Sequence, residues 1–135
     1  MKAKEILTES MSKEDTFGIL HEFVRFAARH LELKQLPKFE FLFNTAKSVE
    51  HSSFGGYGGK HIRITVTNRH IMDVCRTLAH ELVHFKQDLD GDLDGPGDPG
   101  ATGSPQENEA NAEAAIIMRN WGKKHPDLFE KESIA

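Results

Sequence analysis

Cysteine is almost missing from this 135-residue chain. Cys75 stands alone, which excludes an internal disulfide and any zinc site built from a thiolate cluster. No apolar run approaches the roughly 18 residues that a bilayer span needs. The opening Met1-Lys2-Ala3-Lys4-Glu5-Ile6-Leu7 has too short an apolar stretch for a secretory signal. Positive charge is in deficit: 17 Lys and Arg face 21 Asp and Glu, for a net charge of -4. Bulk electrostatics therefore favours neither nucleic acid nor an anionic membrane as a partner. There is no internal repeat. The expectation is a protein that stays in the cytoplasm that made it, with a length suited to one domain and a modest core.

Residues 1–11 read as a short leader or flexible N-terminus, and residues 12–135 as a single domain. Ser12, with Asp15 three positions later, resembles a capping box. Phe17, Leu20, Phe23, Val24, Ala27, Ala28 and Leu31 follow at helical spacing, so a helix is expected over 13–33, ended by Pro37. From Lys38 to Asn44, Phe39, Phe41 and Phe43 alternate with polar positions as in a strand, and Ile62 to Thr67 repeats the pattern. The glycine-rich run Ser52–Gly59 between them reads as a flexible turn, and residues 48–53 as a candidate edge strand. Asn68 is placed to cap a helix over 69–88, and an acidic Gly/Pro-rich loop follows to Gly103. Ser104-Pro105-Gln106-Glu107 opens a last helix, reaching about Trp121 with Gly122 as its stop. The fold class expected is α+β: a small antiparallel or mixed sheet with three helices.

The chemistry concentrates in His80-Glu81-Leu82-Val83-His84. One helical turn holds 3.6 residues, so the two imidazoles project from one face about a turn apart. So placed, they hold one Zn²⁺ at about 2.0–2.1 Å each. Glu81 sits beside the first ligand, where it can take a proton from water and later give it to a leaving amine. Two histidines need a third protein ligand, and no histidine lies between Phe85 and Lys124. Carboxylates remain: Asp90, or Glu107, Glu109 and Glu113 on the last helix. Glu107 stands three residues after Ser104, where its side chain is expected to fold back on the cap. Glu109 is the preferred ligand, and Glu113, four residues on, is expected to accept a ring N–H from His80 or His84.

The pair His80-Glu81-Leu82-Val83-His84 and Glu109-Ala110-Asn111-Ala112-Glu113 resembles the gluzincin metallopeptidases, in particular the small phage and ImmA/IrrE-type peptidases. That resemblance implies a minimal zincin-like domain, Glu109 as third ligand, and a peptide substrate laid along an edge strand. SprT-like proteases share the H-E-x-x-H but use a third histidine, which this chain does not offer at the right place.

Other signals are weaker. Asp90-Gly91-Asp92-Leu93-Asp94-Gly95 matches the first half of a calcium-binding EF-hand loop, but Ala101 occupies the position of the bidentate Glu. Tyr57, set among glycines, is a candidate to hydrogen-bond an oxyanion. Cys75 and Trp121 read as core residues. Leu7-Thr8-Glu9-Ser10 resembles the sites at which prohead proteases of large tailed phages trim short leaders. The function expected is a zinc metalloendopeptidase on peptide or protein substrates, cytoplasmic, or in a host cell or virion if phage-encoded. The competing expectation is a virion or scaffold protein with a structural zinc and little turnover.

Overall fold

Ser12 starts the first helix as its spacing predicts. Its Oγ accepts the Asp15 N–H at 3.1 Å, which satisfies one of the donors that every helix start leaves open. The computed structural model describes residues 11–43 and 55–134. The expected edge strand over 48–53 and the leader motif at residues 7–10 lie outside them. Helix α1 spans Lys13–His30, with Leu20, Phe23, Val24 and Ala27 buried along one face.

This helix stops seven residues short of Pro37, and the cause is a backbone reversal at Glu32 (φ 58°). The Leu33 N–H bonds the Ala28 carbonyl at 2.9 Å and the Glu32 N–H bonds that of Arg29 at 3.2 Å. This is a Schellman closure with glutamate where glycine is usual. Met11, expected in the leader, belongs to the fold. It is buried, and it bridges to Ile134 near the other end of the chain.

Strand β1 (Lys38–Leu42) lies parallel to β3 (His61–Thr65), and β2 (Gly55–Gly58) runs antiparallel to β3, which is central in the order β1-β3-β2. The sheet is thus mixed. Part of the presumed flexible turn is a strand, closed on β3 by a two-residue hairpin turn at Gly59 (φ 57°) and Lys60 (φ 59°). Positive φ at both turn positions gives the primed geometry whose twist suits a tight hairpin. Phe39 and Phe41 pair with Ile62 and Ile64 on one face. Glu40 and Arg63 meet on the other, with Nε to Oε1 at 3.2 Å.

Helix α2 (Ile71–Leu89) carries the H-E-x-x-H sequence and is the axis of the core. It is capped by His70, whose Nδ1 accepts the Met72 N–H at 3.0 Å. The expected cap, Asn68, adopts φ 64° in the preceding turn. Val74, Cys75, Leu78 and Leu82 are fully buried, in one core with Ile62 and Ile64 of the sheet and Phe23 of α1. Burial pushes the Cys75 thiol well above its ordinary range, so it packs as a small apolar group.

Helix α3 (Pro105–Lys124) adds Ala110, Ala114, Ile117 and Trp121 to the same core. The Trp121 ring is held between Phe23 and Phe26, at 5.1 and 5.3 Å. Gly122 does not end the helix; the Phe129 ring of the following 3-10 turn (Pro126–Glu130) would lie 3.0 Å from a Cβ there. Among the described residues, no helix is long and apolar enough to cross a membrane.

Candidate metal centre

The i, i+4 spacing does what helical geometry requires. His80 and His84 turn their Nε2 atoms toward each other, 3.2 Å apart, on a largely buried flank of α2. Helix α3 packs against that flank and delivers Glu107 from its first turn. One carboxylate oxygen of Glu107 lies 2.7 Å from His80 Nε2, and the other lies 3.1 Å from His84 Nε2. These three side chains form the one group of three or more potential metal ligands among the described residues, all donor atoms within 4.8 Å of one another.

The donor set fits a small divalent cation. Four tetrahedral donors at about 2.0–2.1 Å from zinc stand about 3.3 Å apart. The two imidazole nitrogens here are 3.2 Å apart, close to one edge of such a cage, and each has its own Glu107 carboxylate oxygen at 2.7 or 3.1 Å. Burial holds the His80 imidazole below its ordinary pKa, with the neighbouring His84 acting in the same sense and Glu107 opposing. A neutral ring is the form a metal needs.

The carboxylate that the structure brings to the two histidines is Glu107, in place of the expected Glu109. Ser104 Oγ accepts the Glu107 N–H at 3.1 Å, so residue 107 takes part in the cap through its backbone, and its carboxylate is left to reach the histidines. Glu109 instead accepts the Gln87 Nε2–H at 2.8 Å. Glu113, expected to steady a ligand ring, lies beyond reach of both and pairs with His30 Nε2 at 3.2 Å. Asp90 ends α2 and faces Lys86 at 3.7 Å.

Glu81 is 7% exposed, with Oε1 3.9 Å from His80 Nε2. Burial pushes its pKa up to about 7; the Glu107 carboxylate adds to the rise and His84 works against it. Tyr57 lines the same cleft as the histidines, but its hydroxyl donates to Asp88 Oδ2. Burial and that carboxylate raise its pKa, so it stays a proton donor through neutral pH.

The cleft has a volume of about 580 Å³. Gly55, Gly56 and Tyr57 of edge strand β2 form one wall; Leu93 and Asp98–Gly100 of the acidic loop form the other. Gly55 is required there, since a Cβ would come within 2.5 Å of Thr77 Cγ2 on α2. Compared with protein-family models, curated proteins and solved structures, the chain matches none. The site must be read from its own geometry.

Sequence reasoning missed three contributors. Gln87, only 2% exposed, places Oε1 2.8 Å from His84 Nδ1. Asn111 hydrogen-bonds His80. Asp88 holds Tyr57. The available signal was periodicity: Gln87 is three residues past His84, and a polar side chain on that buried side of α2 needs partners.

Proposed function

We propose that this chain is a zinc-dependent endopeptidase. The observation that carries the reading is a buried carboxyl, Glu81, beside a His80–His84–Glu107 donor set at the floor of an open cleft. A site built only to hold a metal for structural reasons has no need of a base there.

A Zn²⁺ held by these residues would supply Lewis acidity toward the scissile carbonyl and toward water. The chain's own groups account for the proton. Glu81 takes one from the water whose oxygen attacks the carbonyl carbon, then passes it to the amide nitrogen as the C–N bond breaks. Strand β2 borders the cleft and offers its edge to an extended peptide, a mode that fixes the backbone before side chains are read. The loop wall at Leu93 and Pro99 narrows the approach of water. Tyr57 O–H, poised beside the cleft, serves the developing oxyanion once it exchanges Asp88 for substrate.

The test combines metal analysis with cleavage of a diverse peptide mixture. One zinc per chain and discrete products are expected from the parent, and Glu81→Gln should keep the zinc while turnover falls about 10²–10⁴-fold or more. Zinc retained with no cleavage of any peptide or protein would refute the endopeptidase reading and leave a metal-bearing scaffold. Equal activity in Glu81→Gln would remove Glu81 from the chemistry.

A further inference from the structure

We infer that Gln87 and Glu109 form a positioning pair that fixes His84 in the ring tautomer able to bind a metal. The inference rests on the three-residue donor set and not on peptide hydrolysis. It follows from counting donors and acceptors around one buried amide.

Gln87 Nε2 lies 2.8 Å from Glu109 Oε1 and 3.0 Å from the Gln106 carbonyl oxygen. Both partners only accept, so both amide hydrogens are committed there. The amide oxygen is then the atom 2.8 Å from His84 Nδ1. It can only accept, so Nδ1 carries the hydrogen. Turning the amide over would set its oxygen against a carboxylate and a carbonyl in a site with almost no water access, which leaves buried groups unsatisfied. A neutral imidazole has one N–H. With that hydrogen on Nδ1, Nε2 keeps its lone pair directed at His80 and Glu107. The same contacts tie the last turn of α2 to the first turn of α3, which carries Glu107. Orientation of a ligand ring by the partner of its second nitrogen is worth about 10–100-fold in metal affinity.

Two readouts test this. Long-range ¹H–¹⁵N spectra of the metal-free parent, at a pH where the ring is neutral, should show His84 protonated at Nδ1. Protonation at Nε2 would overturn the proposal without any variant. The second readout is Zn²⁺ affinity by competition with a chromophoric chelator. Gln87→Met keeps the volume and removes both polar ends, so it should weaken zinc about 10–100-fold with the helical circular dichroism unchanged. Glu109→Gln keeps an oxygen that accepts from Gln87 Nε2 and leaves the Gln106 carbonyl its donor, so the amide orientation persists. It should bind zinc within a few-fold of the parent. Parent-like affinity in Gln87→Met, or a folded Glu109→Gln variant that binds as weakly as Gln87→Met, would each overturn it. If Gln87→Met fails to fold, the parent spectrum and Glu109→Gln still decide.

Discussion

Glu107 and Glu109 are two residues apart, and about 200° of helical rotation separates their directions. Only one can face a pair of imidazoles, and here it is the earlier one. Glu107→Ala should therefore strip zinc from the protein. Glu113→Ala, which loses only a half-exposed contact with His30, should bind as the parent does. Equilibrium dialysis against zinc checks both, and metal retained in Glu107→Ala would refute the ligand assignment. The two histidines were legible in the sequence because their relation lies within one helix, where spacing dictates direction. The third ligand was not, because it depends on how α3 is rotated against α2. The same glutamate also satisfied a capping pattern, and only its backbone N–H turned out to follow it.

Glu81 gives a residue-scale prediction about pH. In the metal-free protein its carboxyl binds a proton more tightly folded than unfolded, with a pKa moved from 4.5 to about 7, chiefly by burial. The stability it contributes is complete below the unfolded value and is lost as pH rises through the folded one. Glu81→Gln cannot ionise, so the chelated variant should melt above the chelated parent at pH 8, and the gap should shrink steadily toward pH 4. A gap that is constant with pH would show that Glu81 is not held in its neutral form.

At the scale of elements, Ser104 joins loop, helix and site. Its Oγ accepts the Glu107 N–H and donates to the Pro99 carbonyl at 2.7 Å. Ser104→Ala should cost about 1 kcal/mol in denaturant unfolding of the chelated protein. It should also weaken zinc a few-fold, because the first turn of α3 carries the ligand. A stability loss with zinc affinity untouched would separate the cap from the site. Helix identities and most starts were readable, since Ser12 and Ser104 cap by local chemistry. The end of α1 and the β2 hairpin were missed because Glu32 and Lys60 occupy backbone conformations that usually announce themselves with glycine or asparagine. The parallel pairing of β1 with β3 was not legible, as nothing local in either strand records its partner's direction.

At the scale of the molecule, the core is one apolar cluster shared by the helices and the sheet, with the donor set at the seam between α2 and α3. Those two helices are joined by the acidic loop, most of which is exposed. His84 and Glu107 are 23 residues apart along the chain, so a metal bound by both closes a ring in the polypeptide much as a cross-link does. Such a ring restricts the unfolded chain, by an amount that grows slowly with loop length. The loop's covalent continuity is then redundant in the folded state: the α2–α3 packing and the shared ligands do the joining. An endoproteinase that cuts at Asp92 or Asp94 should leave a nicked protein that still binds zinc. Its melting temperature should now rise with protein concentration, as for a two-piece complex. Loss of zinc on nicking would mean that the loop itself holds the seam closed. Intact affinity would mean that this site can be assembled from two separate peptides, with the metal serving as their clasp.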